Sequence, residues 1–395
     1  MTPPRLRIAI IGCGSAGPAA AILLKRQGHA VCLFERAPEC RAVGAGFLLQ
    51  PSGMEVLREI GIHDEVLSHA SKVDRLHVVD AEGDTLLELD YNEITPGLFG
   101  AGLHRPVLLH FLIEAMRAEA IDVRWGWEIN RVSLEGKTWS LRATDDREAS
   151  GFDLLIVADG ARSGLRAQLA PDAVNRGYPW GAHWFIGANR GVFPENELYQ
   201  LVHGTRRLGG FLATGHDLAG SEPLVSLFWS IKINDDEAIR ARGLDVWKED
   251  ILDLCPKAET LLDQIHSWDQ VLTARYGDVR MRLWHGDRVI FLGDAAHAMS
   301  PQLGQGVNLA LADASCIADC LRDHPLTDAL RHYQRRRTLA LRYYQFSTRM
   351  LTPWFQSDHE WLTPVRTLAF GLGRSMAWSR KMMTHTMAGS IGADL

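Results

Sequence analysis

Near the start of the chain stands Arg7-Ile8-Ala9-Ile10-Ile11-Gly12-Cys13-Gly14-Ser15-Ala16-Gly17, followed by an alanine-rich run and then by Val31-Cys32-Leu33-Phe34-Glu35. An apolar strand therefore leads into a glycine turn, a helix and a second strand that ends in an acid, which is the order of a dinucleotide-binding βαβ unit. Gly12 would permit the tight turn, Gly14 would let a pyrophosphate approach the backbone, and Gly17 would let the helix pack closely on the strand. The pyrophosphate would then lie at the positive end of the helix.

Glu35 stands 18 residues after Gly17, where a carboxylate would accept hydrogen bonds from an adenosine ribose. Its charge favours an unphosphorylated ribose, because a 2′-phosphate would meet a like charge. The alternative is a secretory signal, since Arg5 and Arg7 precede an apolar run. Three glycines and Pro18 within that run, the lack of a small-residue cleavage site, and the position of Glu35 argue against a signal.

The composition is that of an ordinary globular protein and excludes several classes of function. The chain has 395 residues, 46% apolar and 23% charged, which predicts roughly two to three domains. The net charge is −6, and the basic block at 335–337 stands alone, so we expect no nucleic-acid partner. No apolar run reaches the ~18 residues of a membrane span. Six cysteines without a C-x-x-C pair predict buried thiols in a reducing, cytoplasmic setting, and we assign no metal site.

Two later strands also end in a glycine–acid pair. Residues 152–160 form an apolar run that ends in Asp159-Gly160, and it lacks alternation, as expected of a strand covered on both faces. Residues 287–297 repeat this pattern around Gly293-Asp294. A glycine-rich loop and a predicted helix from about 307 to 321 follow, so backbone amides would again point at negative charge.

The remaining segments predict a second sheet and a helical tail. Residues 73–89 alternate with a hairpin turn at Glu82-Gly83, and residues 176–275 show short alternating, aromatic-rich segments typical of an antiparallel sheet. Gly44 and Gly46 would let backbone lie against something flat, or they form a plain turn. Arg105, at a predicted helix start, is either a phosphate or ribityl contact or a surface charge.

Three separated stretches resemble the FAD-dependent aromatic monooxygenases of the para-hydroxybenzoate hydroxylase type. They are the glycine turn with Glu35, the segment 159–163, and the segment 293–297 with the residues Pro301, Gly304, Gly306 and Asn308 that follow it. The resemblance spans residues 7 to 322, and the remainder matches only as a loosely shared helical tail.

The resemblance implies an α/β fold with three parts. A Rossmann-like FAD-binding domain would comprise residues 1–72, 101–175 and 276–325. An inserted, mostly antiparallel β-sheet substrate domain would comprise residues 73–100 and 176–275. Residues 326–395 would form a C-terminal helical segment.

The resemblance also implies which residues bind FAD. Glu35 would hold the adenosine ribose, Asp294 would bond the ribityl chain, and the loop 301–308 would face the pyrimidine edge of the isoalloxazine. Arg41 and Arg105 would flank the cofactor, which reverses the surface interpretation of Arg105. The implied set is Gly12, Gly14, Ala16, Gly17, Glu35, Arg36, Arg41, Gly46, Arg105, Asp159, Gly160, Gly293, Asp294, Pro301, Gly304, Gly306, Val307 and Asn308.

The family's chemistry defines the expected reaction. NADH or NADPH would reduce the FAD in transient contact, since no second complete βαβ unit is visible, and O2 would form a flavin C4a-hydroperoxide that oxygenates an aromatic or conjugated small molecule. Such an oxidant needs a dry, apolar pocket. A flavin oxidase, reductase or halogenase on the same scaffold stays an alternative, although the segment 228–232 lacks the halogenase element W-x-W-x-I-P. A non-catalytic flavin redox sensor is a further alternative.

Candidates for acid–base catalysis are weakly defined. His203, Tyr199 and His216 could deprotonate a phenol, although each residue type is more often a surface or core residue. We expect His297 to support the flavin loop rather than to act as a base, and Pro301 to shape that loop beside the flavin. The tail could cover the substrate domain, form a dimer contact or touch a membrane surface, and we expect a monomer or homodimer.

Overall fold

The computed structural model describes residues 4–39, 44–220 and 222–392. The strands are β1 (Arg7–Ile11), β2 (Ala30–Glu35), β3 (Gly46–Leu49), β4 (Ser71–Val73), β5 (Arg75–Asp80), β6 (Thr85–Asp90), β7 (Gly100–His104), β8 (Asp122–Trp125), β9 (Ile129–Glu135), β10 (Thr138–Ala143), β11 (Glu148–Phe152), β12 (Leu154–Val157), β13 (Val174–Ala188), β14 (Glu197–His203), β15 (Arg207–Gly215), β16 (Leu224–Lys232), β17 (Leu272–Arg280), β18 (His285–Gly286) and β19 (Val289–Phe291). The α-helices are α1 (Ala16–Arg26), α2 (Pro51–Ile60), α3 (His63–Leu67), α4 (Arg105–Ala118), α5 (Gly164–Leu169), α6 (Asp236–Arg242), α7 (Leu244–Leu252), α8 (Glu259–Leu262), α9 (Asp294–His297), α10 (Gly306–Asp323), α11 (Leu326–Phe355), α12 (Leu362–Ser375) and α13 (Ala377–Met387).

The first layer is a six-stranded sheet in the order β18-β19-β12-β1-β2-β8. Its strands from β19 to β8 pair in parallel, and β18 is an antiparallel edge. All four residues of β12 are buried, and so are four of the five in β1, because helices cover both faces. The α/β fold class predicted from the sequence is therefore confirmed.

The second layer is a seven-stranded sheet in the order β17-β13-β16-β15-β14-β5-β6. The β5–β6 hairpin turns at residues 81–84, as its sequence predicts, and β5 joins β14 in parallel. Side chains on one side of this sheet, which we call the outer face, pack on α7 and α8 through Trp229, Trp247 and Leu261. The opposite side, which we call the inner face, is turned toward β3 and β7.

The C-terminal helices cover one edge of the second sheet. Phe355 at the end of α11, Phe370 on α12 and Met387 on α13 pack with Leu87 and Leu89 of β6. The tail therefore packs on the second sheet, which is the first of the three roles considered for it. Apolar side chains also remain exposed on its outside: Trp361, Val365, Leu368, Leu372, Met376, Trp378 and Met382. In the part of the chain that the structure describes, no helix combines the length and hydrophobicity needed to cross a membrane.

Candidate cofactor and substrate site

The structure brings the sequence motifs together at the carboxyl edge of the first sheet. The glycine turn follows β1, Asp159 and Gly160 follow β12, Gly293 and Asp294 follow β19, and Glu35 is the last residue of β2. These four strands are neighbours in the sheet. Since the carboxyl ends of parallel strands form the ligand-binding crevice of open α/β sheets, motifs far apart in sequence line one site.

The glycine turn packs directly on the end of β12. Gly12 has φ +105°, and a Cβ placed there would lie 2.4 Å from the carbonyl oxygen of Ala158. Gly14, by contrast, is exposed, and a Cβ on it would meet no heavy atom within 4 Å. Helix α1 then begins at Ala16 without a side-chain cap. Its first amides therefore have no capping side chain as acceptor, which suits a phosphate.

The Glu35 carboxylate lies against this turn. Its Oε2 accepts a hydrogen bond of 2.7 Å from the amide of Cys13, and its Oε1 accepts one of 2.9 Å from the amide of Ala37. Arg36 beside it is exposed. Arg41 lies outside the described residues.

Asp159 carries a buried oxygen that lacks a protein partner. Among the described residues, none donates to its Oδ1. Burial raises the pKa of Asp159, although the Ser163 hydroxyl partly opposes this effect. Gly160 has φ +86°, and open space lies beside it. A buried acceptor next to open space fits a ligand hydroxyl group, because an unsatisfied polar atom is costly to keep.

A buried charge cluster fixes the Gly293–His297 turn. Asp313 on α10 accepts a 2.9 Å hydrogen bond from the Gly293 amide, and its Oδ2 lies 2.6 Å from His297 Nε2. Its Oδ1 accepts a 2.8 Å hydrogen bond from Arg337 Nε on α11. Burial alone would raise the pKa of Asp313, but His297 and Arg337 outweigh it and hold the pKa at about 2. His297 thus supports the turn, and Asp294 stays exposed beside Gly306.

Asn308 joins the loop 301–308 to β3. Its Oδ1 accepts from the Gln50 amide at 2.8 Å, and its Nδ2 donates to the carbonyls of Leu48 and Gly304 at 3.2 and 3.1 Å. Gly304 is exposed, and the half-buried Gly306 and Val307 form the uncapped start of α10. The loop, beginning at the half-buried Pro301, therefore presents backbone amides close to β3.

β3 in turn lies on the inner face of the second sheet. A Cβ on Gly46 would come within 2.4 Å of Thr214 Cγ2 and 2.8 Å of Ser226 Cβ, so only glycine permits this approach. Arg105, the exposed first residue of α4, stands nearby with its side-chain carbons against Gly44.

Two rows of paired residues define the part of the inner face nearest this loop. The proximal row consists of Ile186, Ser226, Leu212 and Leu198, and the distal row consists of Trp184, Phe228, Gly210 and Gln200. Leu212 and Leu198 of the proximal row pack with Leu48 of β3. Five side chains are only half-buried although β3 and the tail lie on this side, and we call the partly covered patch that they form the cleft: Trp184, Ile186, Leu198, Gln200 and Phe228.

The structure does not gather the three candidate bases at this cleft. Tyr199 lies on the outer face, where its ring is 3.6 Å from Lys257 Nζ and packs near Phe211. His203 is exposed at the end of β14. His216 follows β15, and its amide donates to the His69 carbonyl at 2.8 Å.

Sequence reasoning missed Asp313 and the two inner-face rows. Asp313 had a signal, since it is an acid on the apolar side of a predicted helix. The two rows gave no sequence signal, because β13 and β16 are covered on both faces and so lack the alternation of polar and apolar residues that marks a half-exposed strand.

Comparisons with known proteins agree with this architecture. The family model described as FAD binding domain matches residues 5–343. The FAD-dependent monooxygenase YetM of Bacillus subtilis (strain 168), whose own name is qualified as provisional, is 27% identical over 357 residues, covering 87% of this chain and 92% of that protein. Kynurenine 3-monooxygenase of Salinispora arenicola (strain CNS-205) is 30% identical over 371 residues, covering 85% and 77%.

A solved structure supports the fold. Klebsiella pneumoniae HpxO, complexed with FAD and uric acid, superposes with a TM-score of 0.81 at 20% identity, covering 97% of each chain. The family model spans most of the chain, including every motif at the carboxyl edge of the first sheet. The chain therefore belongs to the FAD-dependent monooxygenase family and carries that family's FAD-binding domain.

Proposed function

We propose that this protein is an NADH- or NADPH-dependent flavin monooxygenase that inserts one atom of O2 into an aromatic or conjugated small molecule, most often as a hydroxyl group. The observation that carries the proposal is the position of the cleft. The apolar, half-covered inner face lies against β3, and Leu48 of β3 accepts a hydrogen bond from Asn308 in the first turn of α10.

The proposed cofactor contacts follow the carboxyl edge of the first sheet. The turn from Gly12 to Gly17 and the start of α1 hold the pyrophosphate, and Glu35 holds the adenosine ribose. Asp159 Oδ1, to which none of the described residues donates, accepts from a hydroxyl group of the cofactor or of the nicotinamide donor. Asp294 and Arg105 approach the ribityl and phosphate region.

The protein's own groups set the environment of the reaction. Reduced FAD supplies the reactivity toward O2. The amides of residues 304–307 stabilise negative charge, because they lie at the positive end of α10 and have no capping side chain. The apolar rows exclude water and orient the substrate, so that oxygen is transferred to the substrate and not released as hydrogen peroxide.

Purified protein loaded with FAD tests this proposal. We expect NADH or NADPH oxidation that is stimulated by at least one member of a broad panel of phenols and fused-ring aromatics, with an oxygenated product by mass spectrometry. The FAD-free protein is the control. Absence of both stimulated oxidation and product across the panel would contradict the proposal, and a product that contains halide or no added oxygen would favour the halogenase or oxidase alternative.

A further inference from the structure

The side chains of the inner face indicate whether a substrate bound there carries a charge. The proximal and distal rows together carry aromatic and aliphatic side chains, one glycine, one hydroxyl group and one amide. None of these eight described residues is charged. A carboxylate or phosphate bound on this surface would therefore find no cation in either row, and burying an unpaired anion is strongly unfavourable.

Among the described basic groups at the margins of this face, Arg105 is assigned above to the phosphate region of the cofactor, and Lys232 and Arg366 make contacts within the protein. Lys232, at one end of β16, forms a 2.7 Å ion pair with Asp358. Arg366 of α12 is buried and donates to the carbonyls of Gly204 and Trp354 at 2.7 and 2.9 Å. Burial lowers the pKa of His104, which pairs with Gly46 across β3 and β7, and so disfavours its charged form.

Hydroxyl groups at the seam between β3, the loop and the sheet provide neutral polar contacts instead. Within the described residues, the hydroxyls of Thr214, Ser226 and Ser300 are buried without a hydrogen-bond partner. Each can donate one hydrogen bond and accept others. Such groups bind a phenol, carbonyl or ring nitrogen without requiring charge.

We propose that the substrate is an uncharged, planar aromatic compound whose apolar body lies on the half-buried Trp184 and Phe228 and whose polar edge is bound by the Gln200 amide, beside the neutral hydroxyl groups of the seam. This inference rests on the proposed function, because it concerns the same cleft. It separates this protein from a hydroxylase that selects aromatic carboxylates.

The test uses two ligands with the same hydroxynaphthalene ring, 2-naphthol and 6-hydroxy-2-naphthoate, of which only the second carries a carboxylate. Each is titrated into the FAD-loaded protein at pH 7, and the dissociation constant is read from the change in the flavin visible spectrum, without NADH or NADPH. We expect 2-naphthol to bind at least ~100-fold more tightly, because the carboxylate lacks a partner in the cleft. If the carboxylate binds as tightly, or if 2-naphthol does not bind, the proposal is overturned.

A pair of variants checks that the inner face is responsible. Gln200→Arg adds a cation to the distal row and should tighten carboxylate binding at least ~10-fold relative to naphthol, whereas Gln200→Met, which is similar in size and neutral, should not. An unchanged preference in a Gln200→Arg protein that retains FAD would count against the proposal, and the wild-type comparison stands even if this variant fails to fold. Because binding is measured without turnover, a protein that prefers naphthol but never oxygenates any compound would contradict the proposed function and leave this inference intact.

Discussion

At the scale of single residues, Asp313 connects the carboxyl edge of the first sheet to α11. One carboxylate joins the Gly293 amide, His297 and Arg337, with all three side chains buried. Breaking a buried ion pair by removing one partner costs roughly 3–5 kcal/mol, since the other charge stays buried. Asp313, a residue of α10, therefore positions the turn that carries Asp294.

Asp313→Asn should weaken FAD binding by at least ~10-fold and lower the melting temperature. The amide keeps the shape of the side chain but removes the charge that His297 and Arg337 surround. The matched control is Asp319→Asn, which removes a half-exposed carboxylate from the same helix, where Arg322 and Arg336 pair with it. Equal FAD dissociation constants for the two variants, measured by fluorescence, would refute the positioning role.

His297→Ala probes the same turn from its other side. We expect weaker FAD retention or more peroxide released per NADH or NADPH consumed, because the imidazole that contacts Asp313 Oδ2 is lost. Binding and coupling equal to those of the wild type would show that His297 has no supporting role.

At the scale of secondary-structure elements, α12 and α13 close the side of the cleft. Phe370 stacks on Phe355 with ring centroids 5.8 Å apart, and Met383 joins the same cluster as Phe228 of the distal row. These helices therefore shield part of the inner face from water.

Phe370→Ala should open this side and increase peroxide release several-fold relative to product, since water would reach the reacting centre. The control is Trp378→Ala on α13, where the side chain is 73% exposed and contributes little to the cleft. Peroxide yield, measured against oxygenated product, decides the matter: the same yield in both variants would mean that α12 does not exclude water.

Elements also mark the limit of what the sequence predicts. The glycine turn, the two glycine–acid strand ends and the β5–β6 hairpin are local patterns, so they are visible in sequence. The sequence of β14 does not show on which face of the sheet Tyr199 lies, because that depends on which face α7 and α8 cover. Asp313 and Arg337 meet across 24 residues and two helices, a contact that only tertiary packing creates.

At the scale of the whole molecule, the burial of four histidines contributes to the pH dependence of stability. Burial lowers the pKa of His29, His104, His183 and His285 in the folded protein. The unfolded chain then binds protons below its histidine pKa of about 6.5 that the folded chain does not bind, so stability falls as pH decreases through this range. Asp159, whose pKa burial raises, acts in the opposite sense at lower pH.

We expect the melting temperature to decline between pH 7 and pH 5 and to vary little from pH 7 to pH 8. His183→Gln can keep a hydrogen bond to Asp236 but removes a fully buried imidazole that titrates in this pH range. The melting temperature of this variant should therefore decline less between pH 7 and pH 5. Thermal unfolding at several pH values measures this effect. A melting temperature that rises on acidification from pH 7 to pH 5 would contradict it.

At this scale, the proposed function requires a flavin, a dry cleft and O2 to meet at one place. The most direct measurement is turnover under 18O2 with a substrate that stimulates NADH or NADPH oxidation, followed by mass spectrometry of the product. We expect one 18O atom per product molecule and none from H2 18O in a parallel reaction. A product that takes its oxygen from water, or NADH oxidation that yields only peroxide with every aromatic compound tried, would contradict it.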